Sequence, residues 1–158
     1  MRGFGRGSRW RRSSSPKPRP PSLGRGTLLP RYVVDTHALV WYLTKDRRLS
    51  PQARQVLRSA QSGEAIVLVS TIVLAEVLYI AENKRVPVEF PELLGRIRAG
   101  RGYQIVDFDL AVLQEMQKLS QDLELHDRAL AATALVYDAA LITKDRELQK
   151  LDRPKVVW

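Results

Sequence analysis

Tyr32-Val33-Val34-Asp35-Thr36-His37-Ala38-Leu39-Val40-Trp41-Tyr42-Leu43 is the stretch on which the fold is decided. Its first three residues are apolar and suited to a short buried strand. An acid interrupts them, and residues 38–43 go on with the apolar spacing of a helix. The same hand-over recurs twice downstream. Residues 65–69 are a continuous apolar run followed by Ser70 and Thr71, either of which can cap a helix reaching about residue 83. Residues 140–143 form another strand, followed by Lys144, Asp145 and a helical turn over 146–150.

Between these units the pattern predicts further helices. One starts at Ser50-Pro51, a good N-cap with proline in the first helical position. Others cover residues 91–98, residues 110–119 behind an Asp109 cap, and the alanine-rich residues 126–137. Residues 103–106 and 156–158 supply two more strands, the last at an edge. Strands without polar alternation, separated by helices, indicate an α/β chain with a parallel sheet covered on both faces. In such open sheets ligands bind beyond the carboxyl ends of the strands.

The chain has 158 residues, enough for one domain with a real core. It has no cysteine, which excludes a disulfide framework and a thiolate metal site. With only two histidines, any metal held here is expected to be a hard, oxygen-seeking ion such as Mg²⁺ or Mn²⁺. The net charge of +9 suggests nucleic-acid binding until it is located. Residues 1–31 hold nine basic groups and no acid, whereas residues 32–158 hold 17 basic and 17 acidic groups. Residues 1–30, rich in Arg, Ser, Pro and Gly, read as a disordered basic extension, translated from a start upstream of the true one. An RNA-gripping tail and a transit peptide are the competing readings. No apolar run reaches the ~20 residues of a membrane span, and the N-terminus lacks the apolar core of a secretory signal.

Four acids fall at strand-to-helix junctions. Asp35 ends the first strand, and Asp145 lies two residues beyond the strand over 140–143. Glu76 sits in the first turns of the helix after 65–69, and Asp127 opens the helix of residues 126–137. Glu76 is flanked by Leu74-Ala75 and Val77-Leu78, and an acid in such a run is costly to bury unless paired or metal-bound. Converging carboxylates repel one another unless a cation lies between them. Each acid also has a plainer reading: Asp35 and Asp127 as helix caps, Asp145 as a surface partner of Lys144 or Arg146. Their joint occurrence at successive junctions favours a metal site.

These residues resemble a family. Val33-Val34-Asp35-Thr36-His37-Ala38 is similar to the opening motif of VapC-type PIN-domain toxins, and Leu49-Ser50-Pro51 to the segment after it. Ser70-Thr71-Ile72-Val73-Leu74-Ala75-Glu76, His126-Asp127-Arg128-Ala129 and Thr143-Lys144-Asp145-Arg146 resemble the next three, in order, over residues 31–158. The resemblance implies a PIN-like three-layer α/β/α sandwich with a central, mostly parallel sheet. It also implies Mg²⁺- or Mn²⁺-dependent endonucleolytic cleavage of RNA, a cognate antitoxin, a homodimer and a cytoplasmic location. Asp35, Glu76, Asp127 and Asp145 would be the metal-holding catalytic residues.

Around them, Ser70 and Thr143 are candidates to orient carboxylates, with helix capping and a strand-end hydroxyl as plainer roles. His37, Arg128 and Lys144 are candidate RNA contacts, although His37 and His126 read more simply as packing at helix starts. Trp41 and Tyr42 are assigned to the core or a dimer face. The rival reading is a non-catalytic PIN scaffold that binds RNA or protein. Phosphotransfer folds fit poorly: a haloacid-dehalogenase relative needs an acid where His37 stands, and a receiver domain needs an acidic pair at the first strand's end. No Gly-x-Gly-x-x-Gly follows a strand.

Overall fold

A computed structural model describes residues 28–83 and 87–158. Five strands, β1 (Arg31–Val34), β2 (Ile66–Ser70), β3 (Tyr103–Val106), β4 (Ala140–Ile142) and β5 (Val156–Val157), form one sheet in the order β3-β2-β1-β4-β5. Every pairing is parallel, so the "mostly parallel" expectation is exceeded. Among the described residues seven helices connect them: α1 (Thr36–Leu43), α2 (Pro51–Ser62), α3 (Thr71–Glu82), α4 (Phe90–Ala99), α5 (Leu110–Met116), α6 (Leu125–Val136) and α7 (Arg146–Gln149). Adjacent strand residues face opposite sides of a sheet. Val33 with Val34, Val67 with Leu68, and Leu141 with Ile142 are all buried, so helices cover both faces. Among the described residues no helix is long and apolar enough to cross a membrane. Most of the tail expected to be disordered, residues 1–27, lies outside the described residues.

Local chemistry explains the helix starts. The Ser50 side chain accepts from the Ala53 amide at 3.1 Å with Pro51 in the first turn, and Asp109 accepts from the Val112 amide at 3.1 Å. Helix α5 stops at Met116, three residues short of the expected end. Ser70 occupies the N-cap position of α3 without making a side-chain cap bond, while Thr71 Oγ1 instead accepts from the Phe108 amide. In this strand order the chain moves outward from β1 through β2 to β3, then returns to β4 on the other side of β1. The switch point between β1 and β4 is where an open parallel sheet leaves a crevice at its carboxyl edge.

Candidate active site

That crevice is where the acids gather. Asp35 follows β1, and its amide donates to the Ile142 carbonyl of β4 at 3.0 Å, continuing the ladder to the rim. Thr143, fully buried just past β4, donates through Oγ1 to Asp35 Oδ2 at 2.7 Å and accepts from the Asp145 amide at 3.0 Å. One hydroxyl therefore ties the first and last of the four acids together across the switch point. Asp35 Oδ1 accepts from the His37 amide at 3.3 Å, the cap that starts α1. Asp145 does not pair with its basic neighbours. Its Oδ1 caps α7, accepting from the Glu147 and Leu148 amides at 2.8 and 3.1 Å.

Glu76 is turned toward a different pair. Thr36, fully buried at the start of α1, donates to Glu76 Oε2 at 2.6 Å, and His126 Nε2 stands 3.0 Å from the same oxygen. Hydrogen bonding from His126 holds the Glu76 carboxyl below its usual range against the opposing effect of burial, and Thr36 adds to the lowering. The same contact raises the His126 imidazole. Asp127 lies in the first turn of α6 behind a Glu124 cap, so it neither opens nor caps the helix. Burial pushes its carboxyl up, and the negative charges of Asp145 and Asp35 push it further.

Asp127 thus carries charge in an already negative field, and its carboxylate accepts no hydrogen bond from the described residues. Glu76 Oε1 and Asp145 Oδ2 are likewise without a hydrogen bond there. A set of oxygen donors, each anchored on one side or left open, suits a hard divalent cation in its chemistry. As the side chains stand, no three Asp, Glu or His groups among the described residues are arranged as a closed cation cage.

The other candidates separate. Ser70 is fully buried at the end of β2, but among the described residues its hydroxyl has no hydrogen-bond partner and orients no carboxylate. The His37 side chain is 57% exposed with Nδ1 4.0 Å from Asp35 Oδ1. Arg128 turns its guanidinium to the Met116 carbonyl at 2.9 Å, joining α6 to the end of α5 instead of pointing to solvent. Lys144 is exposed, with Nζ 4.7 Å from the centroid of the Trp41 ring, and Trp41 itself belongs to the core at 4% exposure. Glu76 is less enclosed than its apolar flanks suggest. Its side chain is 34% exposed, and Leu78 and Tyr79 on the same helix are exposed as well. Thr36 and His126 are the partners that sequence reasoning misses. Both adjoin an acid, but their roles follow from α1 and α6 meeting α3, and local spacing does not encode that.

The Glu76–His126 pair has a pH signature in metal-free protein. A raised imidazole contributes stability that is complete below its unfolded value of 6.5 and is lost as pH rises through the folded one. A lowered carboxyl contributes stability that is present above its unfolded value of 4.5 and is lost as pH falls. The stability gap between wild type and His126→Gln, measured by urea melts in EDTA, should therefore be widest between these values and narrow on both the acid and the alkaline side. A gap that is flat across the range would remove the ion pair from the account.

The PIN domain family matches residues 32–154, and the chain belongs to that family. Within it, the sequence is similar to Ribonuclease VapC22 of Mycobacterium tuberculosis, 27% identical over 130 residues that cover 80% of this chain and 97% of that protein. The fold is that of the VapBC2 structure from Rickettsia felis bound to a promoter DNA fragment, with a TM-score of 0.61, 17% identity, and 80% and 97% of the two chains covered. It is also that of a toxin–antitoxin complex from Klebsiella pneumoniae, with a TM-score of 0.57, 24% identity, and 80% and 96% covered.

Proposed function

We propose that this chain is the toxin of a VapBC-type pair, a Mg²⁺- or Mn²⁺-dependent endoribonuclease whose PIN domain spans residues 31–158. The observation that carries the reading is the convergence of acids at the switch point, where one Thr143 hydroxyl ties Asp35 to the Asp145 backbone, the charges of Asp145 and Asp35 raise the Asp127 carboxyl, and Glu76 is held by Thr36 and His126. Similarity to a protein named as a ribonuclease supports the reading. Asp35, Glu76, Asp127 and Asp145 would hold the cation. When bound there, it supplies Lewis acidity and a water of lowered pKa for attack on a phosphodiester. Thr143 keeps Asp35 in one orientation, Thr36 and His126 do so for Glu76, and the α7 amides fix Asp145. Products with 5′-phosphate and 3′-hydroxyl ends, an antitoxin partner, a homodimer and a cytoplasmic setting belong to the same proposal.

The test is cleavage of a total-RNA pool by the purified chain with Mn²⁺, with EDTA, and with Asp35→Asn in Mn²⁺. Cutting in the first condition alone is the expected result. Cutting that persists in EDTA would remove the metal from the proposal. A wild type that binds Mn²⁺ by calorimetry yet cuts nothing would make the chain a non-catalytic PIN scaffold.

A further inference from the structure

Residues 32–158 are electrically balanced, yet the segment from the end of α1 through α2 is not. Residues 44–62 hold Lys45, Arg47, Arg48, Arg54 and Arg58 against one acid, Asp46. The fold collects this charge in one place. Arg47, Arg54 and Arg58, with Leu49, Pro51 and Gln55, line an open groove of about 560 Å³. Its shape is braced from within. Arg54 donates to the Asp46 carbonyl at 2.8 Å, and Arg48 holds the Asp46 carboxylate through Nε and NH2, the shorter contact 2.7 Å. Asp46 is thus committed to Arg48, which pulls its carboxyl down to about 2. Arg47 and Arg58 are exposed and have no acidic partner among the described residues.

Arg48, next in the chain to the groove's Arg47, shares the Trp41 ring with Lys144 of the carboxylate rim. Arg48 Cζ lies 4.8 Å from the centroid of that ring and Lys144 Nζ 4.7 Å. Lys144 sits between Thr143 and Asp145, so one ring bridges the candidate catalytic edge and the basic segment. We propose that the phosphate backbone of a single-stranded RNA passes from the rim over Lys144 and Arg48 into the Arg47–Arg54–Arg58 groove, which binds several nucleotides away from the scissile bond. This rests on the nuclease reading above. Three features favour a polyanionic strand: unpaired guanidiniums, an open floor, and continuity with the rim. A strand so held gains affinity without any base being read, so the groove lengthens the preferred substrate and leaves sequence choice to the rim.

The test uses the full chain and the variant Arg47→Gln/Arg58→Gln, whose side chains brace nothing. Binding of a fluorescent 15-nucleotide single-stranded RNA is measured in EDTA over a range of salt. Wild type and variant share the basic residues 1–31, so their difference isolates the groove. The variant should bind roughly tenfold more weakly, with a salt slope shallower by about 0.7 for each phosphate it no longer neutralises. In Mn²⁺ its KM for the same RNA should rise with kcat unchanged, and cleavage of a trinucleotide too short to reach the groove should not change. Equal affinity and equal salt slope overturn the proposal, as does an unchanged RNA affinity accompanied by loss of an acidic protein partner. A wild type that shows the groove's binding difference but cuts no RNA defeats the nuclease reading and leaves the groove standing.

Discussion

Asp127→Asn should cut RNA on the order of a hundredfold more slowly, or worse, and yet melt at a higher temperature than wild type in EDTA. The first effect is of the size expected when a charged contributor is removed from a reacting centre. The second follows from the field around Asp127. Its carboxyl is raised by burial and by the charges of Asp145 and Asp35. The folded chain therefore holds that proton more tightly than the unfolded chain, and ionised Asp127 costs stability at neutral pH. The amide keeps the shape and removes the charge. With Mn²⁺ the order should reverse. A ligand at a hundred times its Kd adds about 2.7 kcal/mol, on the order of 5–10 °C for a domain of this size, and the variant forfeits most of it. Thermal melts of both proteins in EDTA and in Mn²⁺ check the crossing. If Asp127→Asn melts lower than wild type in EDTA, the carboxylate makes a favourable contact and the negative field is not what governs it.

The second large effect concerns a glycine at the opposite edge of the sheet from the acids. Gly102, between α4 and β3, donates to the Ala60 carbonyl and accepts from the Val67 amide, both at 2.8 Å, so it pins the end of α2 to β2. A Cβ there would stand 2.0 Å from the Ala65 carbonyl oxygen and 2.7 Å from that of Ala60. Both are backbone atoms, and backing away would break the two bonds. Gly102→Ala should cost about 3 kcal/mol or more, at or above the upper range for overpacking. Gly95, exposed within α4 with nothing inside 4 Å of its would-be Cβ, gives the opposite sign. Gly95→Ala should gain roughly 0.5–1 kcal/mol from reduced freedom of the unfolded chain. Paired urea melts with a common slope read both. A Gly102→Ala cost under about 1 kcal/mol would mean that the backbone there yields more readily than these bonds imply.

What residues alone reveal is whatever depends on near neighbours. The strand-acid-helix unit at residues 32–43 places Asp35 at the sheet's rim, and Ser50-Pro51 and Asp109 mark helix starts that the structure keeps. The continuous apolar strands announce a sheet buried on both faces. Contacts between distant residues are not legible. Thr36 reaches Glu76 across 40 residues, and Thr143 reaches Asp35 across 108. Thr143 is a candidate only because it stands near an acid, a reason that serves equally for Ser70, whose hydroxyl has no partner among the described residues. Arg128 shows the converse. Beside an acid it reads as free to meet a phosphate, but the packing of α5 against α6 supplies a carbonyl within its reach. Glu76 reads as walled in by its apolar neighbours. A helix turns each successive residue by about a quarter of a circle, so neighbours in the chain share no face.

The hydroxyl that binds Thr143 to Asp35 also sets a clock. The two residues are 108 positions apart, and β1 cannot take its place in the centre of the sheet until β4 exists to flank it. At about 5–20 residues per second of synthesis, the second partner emerges on the order of ten seconds after the first. During that interval the growing polypeptide has three of the four acids in turn but no rim to assemble them on. A chain whose proposed product is a cut RNA is thus made beside abundant RNA in a form that holds no finished centre, and the centre closes only as the last part of the sheet arrives.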